Sequence, residues 1–585
     1  MIHSQGGPGS SRSATVRRWL ERSVLPDPLL LQSFVDELQV DRLTAHLLAQ
    51  RGGVDLSAAR DFLDPRLQQL PDPFLIGGME AAVTRLVAAI QGGEKIAIHG
   101  DYDVDGISGT ALLVEGLRAL GAEVDYYIPL RLRDGYGLSA EHLRQAFAAG
   151  ARVAVSVDCG ISAVEEAEVA RELGLDLIIT DHHQPPSTLP AACAIVNPHL
   201  PDSHYPDKEL AGVGVAFMLL IALRSRLRTF GAFTTHAEPD LRYSLDLVAL
   251  GTIADVVPLR GVNRILTRIG LGIINQGRRP GLKALAAAAG IRQVSCGNVA
   301  FSLAPRLNAA GRLEDASLGV ELLLGSDGTR TTELAALLDG FNRERQGVEQ
   351  QVLAEAIAQV EAGKGGEFSI VLSGEGWHPG VIGIVASRLV ERYHRPTVLI
   401  AVDGETGKGS ARSIRGLHLY QTLQSCAADL AGYGGHAFAA GLSIAVDRID
   451  AFVAAFEQAS AAVLSAEDLL PVLLYDGDVL IEDLSLPILA DLQRLSPFGA
   501  GNPEPLLLLR NARAQQVTPC GTGHLKFSIR QGGSSLPCIA FSYPPHWAEF
   551  LPGEIDLLVT LQGNEWKDRV SLQLRVKDMR PAQDS

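Results

Sequence analysis

A short apolar run that ends in acid recurs along this chain, and that recurrence limits what the chain can fold into. Lys95-Ile-Ala-Ile-His99 reads as a buried strand, and Thr110 to Leu120 reads as a helix. Between them Asp101, Asp103 and Asp105 place three carboxylates on alternate residues. Val153-Ala-Val-Ser-Val157 is a second apolar run and ends in Asp158-Cys-Gly160. Asp176-Leu-Ile-Ile-Thr180 is a third and ends in Asp181-His182-His183. Leu245 to Ile253, readable as helix or strand, carries Asp255 just beyond it. One such acid is an ordinary solvated loop, with Gly106 as a turn residue. Four elements ending this way fit an α/β fold whose parallel strands bring their carboxyl ends to one cleft, where open α/β sheets place their ligands. Like charges this close repel one another unless cations neutralise them. Mg²⁺ and Mn²⁺ take carboxylate oxygens, and Mn²⁺ also accepts imidazole. Asp103, Asp105, Asp158, His182 and Asp255 are thus candidates to hold two ions, and a pair about 3.5–4 Å apart is the usual device for phosphoester hydrolysis.

These motifs carry a resemblance. Asp101-Tyr-Asp-Val-Asp-Gly106, Asp158-Cys-Gly160, Asp181-His-His183 and Gly251-Thr-Ile-Ala-Asp255 resemble the four motifs of the DHH phosphoesterase superfamily. Within it the chain resembles the RecJ family of single-strand-specific 5′→3′ DNA exonucleases. Glu209–Phe217, Pro305-Arg-Leu-Asn-Ala-Ala-Gly-Arg312, Asn342-Arg-Glu-Arg-Gln346 and Gly434-Gly-His-Ala-Phe-Ala-Ala-Gly441 support this, and the likeness runs from about Asp61 to the C-terminus. The resemblance implies two α/β domains (DHH and DHH-associated) joined by a long helix around a central cleft, plus a C-terminal OB-type β-barrel. It implies two Mn²⁺ or Mg²⁺ ions on Asp101, Asp103, Asp105, Asp158, His182 and Asp255. It also implies that Arg131 binds the 5′ phosphate, that Ser410 and Arg412 grip the 5′ end, and that Gly434, Gly435 and His436 contact the nucleotide.

Other residues leave alternatives open. His182 and His183 are adjacent, so on an extended backbone they point to opposite sides. One then ligates metal while His183 donates to a phosphate oxygen or protonates the leaving oxygen. Asp105, Asp158, His182 and His183 form the catalytic set. His99 stands four residues before Asp103, the spacing of a metal ligand in related DHH pyrophosphatases; it is either that or a satisfied strand histidine. Cys159 reads as packing rather than ligand. Arg306, Asn308 and Arg312 sit among small residues that let a phosphate approach. An arginine here could equally form an inter-domain salt-bridge corner; the resemblance favours phosphate contact.

At 585 residues the chain exceeds one core and is expected to form three to four domains. Six cysteines without paired spacing give neither a disulfide framework nor a zinc signature. No apolar run of about 18–20 residues is present. The first 24 residues show no apolar signal-peptide segment, so a cytoplasmic protein without membrane attachment is expected. The net charge of −16 argues mildly against nucleic acid, because phosphate neutralisation needs Lys and Arg. The distribution weakens that objection: residues 505–585 hold nine Lys and Arg against seven Asp and Glu.

In chain order, residues 1–76 read as a disordered tail and helical lead-in, 77–330 as the DHH domain and 331–362 as a connecting helix. Residues 363–465 read as the DHH-associated domain, and 466–585 as a linker and OB-like domain. Helices at 261–330 are interrupted at Pro305–Arg312. Residues 407–413 form a small basic loop suited to phosphate. Pro497–Pro505 is a linker by composition. The short alternating runs after it suggest a barrel, with bases stacking on Phe527, Phe541, Tyr543 or Trp566 unless these fill its core. The expected activity is 5′→3′ hydrolysis of single-stranded DNA to 5′ mononucleotides in DNA repair and recombination, with a single-strand-binding protein or a helicase as partner. The alternatives are a DHH hydrolase of small phosphoanhydrides, cyclic dinucleotides or short RNA, and a non-catalytic DNA-binding subunit.

Overall fold

The computed structural model describes residues 17–22, 26–130, 135, 137–234, 237–313, 315–521, 523–566 and 569–582. Its contacts divide the chain into two units. One comprises residues 60–346 with 495–503; the other comprises 1–59, 347–494 and 504–585.

The first unit is built on a parallel sheet of β1 (Lys95–Gly100), β2 (Val124–Tyr127), β3 (Ala151–Val157), β4 (Asp176–Thr180) and β5 (Ala194–Val196), in the order β2-β1-β3-β4-β5. Its strands read as continuous apolar runs because helices cover both faces. Helix α1 (Val104–Ala119) crosses between β1 and β2, and after β2 the chain returns to the other side of β1. That reversal between β1 and β3 is where a doubly wound sheet opens a crevice at its carboxyl edge. Register then makes the edge level. Gly100 pairs with Val157, Val157 with Thr180, and Thr180 with Val196. The next residue of each strand is therefore delivered to the same edge: Asp101, Asp158, Asp181 and Asn197.

Helices α2 (Gly212–Thr229) and α3 (Leu245–Ala254) pack on α1. The ambiguous run Leu245–Ile253 is thus helix. It is buried on every side, and an element apolar all round shows no helical period. Helix α4 (Gly261–Asn275) follows. Pro305–Arg312 does not interrupt the helices, as the sequence suggested, but lies within α5 (Ala304–Leu313). Pro305 is accommodated because the turn before it, Val299–Leu303, is a wider π-turn in an unbroken helical run from Cys296. Helix α6 (Gly328–Gln359) runs for 32 residues, and the division between the units falls within it.

In the second unit β6 (Ile370–Glu375), α7 (Pro379–Tyr393), β7 (Thr397–Asp403), β8 (Thr406–Arg412), β9 (Gly432–Gly435) and β10 (Ala439–Ala445) form an α/β layer with sheet order β9-β10-β8-β7-β6. The barrel consists of β11 (Leu507–Cys520), β12 (His524–Gln531), β13 (Ser534–Ala540), β14 (Glu554–Trp566) and β15 (Arg569–Pro581). Its order is β11-β12-β13-β15-β14, and β14 pairs back to β11, which closes it. Only the β13–β15 pair is parallel. This is the five-stranded Greek-key closure of an OB fold. The lead-in is not all helical: strand Arg18–Glu21 pairs with Val472–Tyr475, and Trp19 Nε1 donates to Asp578 in β15 at 2.8 Å. Among the described residues no single helix is long and apolar enough to cross a membrane.

Candidate metal centre

The carboxylates at the level strand edge are aimed by backbone amides. Asp103 caps α1, and its Oδ1 accepts from the amides of Asp105 and Gly106 at 2.9 and 3.2 Å. Asp105 lies in the first turn of α1 and accepts from Gly212 and Val213 at the start of α2, at 2.7 and 2.9 Å. Two helix N-termini thus face these acids, which suits anionic groups. Asp158 has φ +62, and Val256, just after Asp255, has φ +64. A non-glycine residue in that region costs on the order of 1–3 kcal/mol and persists only where its surroundings over-determine it. Two glycines make the close packing possible. A Cβ on Gly212 would stand 2.6 Å from Asp158 Cβ, and one on Gly251 would stand 2.7 Å from Asp105 Oδ1.

The outcome, among the described residues, is three sets of ligand atoms, each within 4.8 Å of one another: Asp101–Asp103–Asp158, Asp105–His182–Asp255 and Asp158–His182–His183. Asp158 and His182 each belong to two sets, the arrangement that paired ions require. His182 Nε2 lies 3.2 Å from Asp158 Oδ1 and 3.6 Å from Asp255 Oδ2. His182 Nε2 and Asp255 Oδ2 are buried without a hydrogen bond among the described residues. Buried polar atoms are ordinarily bonded, so these donors fit a cation. The electrostatics agree. Burial and the neighbouring Asp103 charge push Asp105 up to about 7, and burial with Asp105 and Asp103 pushes Asp255 up to about 9. Asp158 is raised for the same reasons. Burial and the adjacent His183 bring His182 down to about 4, so at neutral pH it is an imidazole able to ligate. Its contact with Asp158 is therefore not an ion pair.

The histidine pair departs from the sequence expectation. His182 and His183 do not face opposite sides; their ring centroids are 4.5 Å apart. The strand ends at Thr180, and the alternation of an extended chain ends with it. Asp181, which the sequence reading quoted but left out of the site, organises this loop. Its Oδ1 accepts from the His182 and His183 amides at 2.7 and 3.1 Å and pairs with His183 Nδ1 at 2.7 Å; its Oδ2 accepts from Ile161 N at 2.9 Å. Burial would lower His183, but the bond and charge of Asp181 prevail and raise it to about 9, so it is a cation at neutral pH. Buried Asn197, also missed, donates to the His183 carbonyl at 2.9 Å. His99 belongs to none of the three sets. It stacks on Tyr127 with centroids 5.2 Å apart, and neither ring nitrogen has a hydrogen bond among the described residues. Cys159 is 1% exposed with its thiol pushed up by burial, as a packing residue should be.

The expected substrate contacts fall in both units. Arg131 lies outside the described residues. Arg306 donates to Asp339 through Nε and Nη2, at 2.9 Å each, and to the Ser302 carbonyl at 2.7 Å, so it is engaged in a salt bridge within the first unit rather than an inter-domain one. Asn308 and Arg312 are half-buried on the same helix, and Gly311 between them backs onto the Tyr102 carbonyl in the metal loop. In the second unit Gly434, Gly441 and Ser410 form one row across β9, β10 and β8. Gly383 in α7 lies against Ser410 and Arg412, and Arg412 Nη1 donates to Ser410 Oγ at 3.2 Å. Gly434, Gly435 and His436 are exposed at the end of that row. In the barrel, Phe527 is core at 4% exposure whereas Phe541 is 43% exposed. Arg575 lies over the Phe541 ring at 5.3 Å, with His524 edge-on at 5.2 Å. The side chain of Trp566 lies outside the described residues.

Comparison with known proteins agrees with this geometry. The profile of the DHH family, N-terminal domain, matches residues 95–252; that of the DHHA1 domain matches 366–462, and that of the RecJ OB domain matches 475–578. The single-stranded-DNA-specific exonuclease RecJ of Bacillus subtilis is 41% identical over 573 residues, covering 97% of this chain and 71% of that protein. RecJ of Escherichia coli is 41% identical over 524 residues, covering 86% and 91%. The crystal structure of RecJ in complex with Mn²⁺ from Thermus thermophilus superposes with a TM-score of 0.83 at 34% identity, covering 97% of this chain and 80% of that one. With this likeness along nearly its whole length, and with the acids of all four motifs gathered at one sheet edge, the chain belongs to the RecJ family of DHH proteins.

Proposed function

We propose that this chain is a metal-dependent exonuclease that degrades single-stranded DNA from the 5′ end to 5′ mononucleotides, in DNA repair and recombination. The observation that carries this reading is the convergence of Asp101, Asp103, Asp105, Asp158, His182 and Asp255 at one sheet edge, with His182 Nε2 and Asp255 Oδ2 buried and without a hydrogen bond among the described residues. Those six residues would hold two ions, Mn²⁺ or Mg²⁺. Bound divalent cations would supply charge stabilisation and a water acidic enough to deprotonate at neutral pH. The protein's own share is positioning. The amides of Gly212 and Val213 fix Asp105, and those of Asp105 and Gly106 fix Asp103. His183, held by Asp181 and cationic at neutral pH, donates to a phosphate oxygen or protonates the leaving 3′ oxygen.

Ser410, Arg412, Gly434, Gly435 and His436 grip the 5′ nucleotide, with Arg131 on its phosphate. Asn308 and Arg312 contact a phosphate of the strand; Arg306 does so only in exchange for Asp339. The barrel holds single-stranded DNA through Phe541 and Arg575. The working division is a DHH domain (77–330), connecting helix (331–362), DHH-associated domain (363–465) and OB-like domain (466–585). A single-strand-binding protein or a helicase in the cytoplasm presents the unpaired strand. The test follows a long single-stranded DNA labelled at either end, with Mn²⁺, beside a four-nucleotide RNA and pyrophosphate. Mononucleotides from the 5′ end of the DNA are expected. Cleavage of the short substrates alone would refute the exonuclease, and DNA binding without hydrolysis would make the chain a non-catalytic subunit.

A further inference from the structure

Residues 495–503 carry a linker's composition, yet they are packed into the catalytic unit rather than into the barrel unit on either side of them in sequence. The segment closes on itself: Asn502, fully buried, donates to the carbonyls of Leu495 and Pro497 at 2.9 and 2.8 Å, and Gly499 and Asn502 form a β-bridge. So closed, it grips the loop that leaves the candidate ligand Asp255. Leu259 N donates to the Ala500 carbonyl at 2.8 Å, and Arg260 Nε donates to the Gly501 carbonyl at 2.7 Å. From α4, Arg264 Nη1 and Arg268 Nη1 reach the carbonyls of Leu495 and Ser496 at 2.9 and 3.1 Å. The other side of the loop is held as well: Val262 N donates to Asp207 at 2.8 Å, and Asn263 Nδ2 donates to the Pro258 carbonyl at 3.1 Å. Between ligand and grip stands Val256, a β-branched residue at φ +64 with 67% of its surface exposed. Its own side chain does not account for that backbone. A conformation of this kind persists only when neighbouring structure enforces it.

We propose that the Leu495–Pro503 segment is a positioning element for the metal centre: by clamping Pro258–Arg260 it enforces the turn at Val256 and sets where Asp255 presents its carboxylate. The stretch that tethers the barrel is thereby also part of the ligand scaffold. This rests on the assignment of Asp255 as a ligand, and the test separates the two. Gly501 has φ +68, and a Cβ there would stand 2.8 Å from Pro258 Cβ, so Gly501→Ala drives a wedge into the clamp. Gly532 in the barrel has φ +59 with nothing within 4 Å of its Cβ position, so Gly532→Ala carries similar backbone strain without the wedge.

Mn²⁺ binding to the full chain is titrated by electron paramagnetic resonance of the free ion, and metal-free unfolding is followed by circular dichroism. Removing a group that orients a ligand costs about 10–100-fold in metal affinity, and Gly501→Ala is expected near the tenfold end. Gly532→Ala is expected to bind as the unaltered protein does. If Gly501→Ala unfolds more readily than Gly532→Ala, exposed Arg260→Gln decides, since it deletes only the bond to Gly501. Weaker Mn²⁺ binding with unchanged unfolding upholds the clamp; unchanged binding overturns it. Loss of Mn²⁺ in Asp255→Ala alongside normal binding in Gly501→Ala also overturns the clamp. Normal binding in Asp255→Ala overturns the metal assignment itself.

Discussion

A single methyl group at position 212 tests whether the metal centre depends on sub-ångström placement. Gly212 opens α2; its amide holds Asp105 at 2.7 Å, and a Cβ on it would lie 2.6 Å from Asp158 Cβ and 2.9 Å from Asp158 Cα. Ordinary contact begins at 3.4 Å, so Gly212→Ala must part α2 from Asp158 by about 0.8 Å. Asp158 has little freedom to yield, because it is buried and already at φ +62. A misplacement near 1 Å costs about 100-fold in rate, which is about 2.7 kcal/mol of transition-state stabilisation. Overpacking should take a further ~1–3 kcal/mol from stability. The control is Gly214→Ala, two residues on. Its Cβ would meet Leu210 at 3.4 Å, so it should be harmless and should gain up to ~1 kcal/mol of helix stability. Single-turnover release of mononucleotides at saturating Mn²⁺ reads the rate, and chemical denaturation reads the fold. Activity of Gly212→Ala within about threefold of the unaltered protein, or an equal loss in Gly214→Ala, would refute the reasoning.

Asp158→Ala is expected to abolish hydrolysis while leaving single-stranded DNA binding measurable by fluorescence anisotropy; retained turnover would sink the two-ion assignment. Arg412→Ala should weaken use of 5′-phosphorylated ends selectively, and equal loss on unphosphorylated ends would assign Arg412 another task. Asp105 and Asp255, at about 7 and about 9, both lie above the unfolded carboxylate value of ~4, so the metal-free protein takes up protons on folding. The stability they contribute is complete below that unfolded value and is lost as pH rises through 7 to 9. His183, raised to about 9, adds a loss of the same sign. Unfolding in a chelator should therefore become easier from pH 6 to 9. Mn²⁺ must displace the same protons, so its affinity should climb over that range. A pH-independent affinity in calorimetry would count against the buried carboxylates as ligands.

Much of the centre was legible before any coordinates. A strand buried on both faces must be a continuous apolar run, and an acid directly after such a run has only the sheet's carboxyl edge to occupy. Asp101, Asp158 and Asp181 announced themselves in this way, and so did the α/β class. The barrel was legible from its alternating runs, although the length of its strands and its closure through β11 and β14 were not. Local pattern failed where an element lost its contrast. Leu245–Ile253 is buried on all sides, so neither period showed; Pro305–Arg312 looked like a break because proline ordinarily ends a helix, whereas here a π-turn at Val299–Leu303 carries the helix past it.

The tertiary structure alone decided which groups orient the acids. Gly212 reaches Asp105 across 107 residues, and Gly501 reaches Arg260 across 241. Asp181 became the hub of the histidine loop only once the chain turned back on it, and Arg306 was committed to Asp339 by the meeting of two helices. Residue type and strand period are local properties, and the sequence states them directly. Level strand ends, a glycine that admits a carboxylate and a tether that clamps a ligand loop are distances between remote segments, and those exist only after packing has set them.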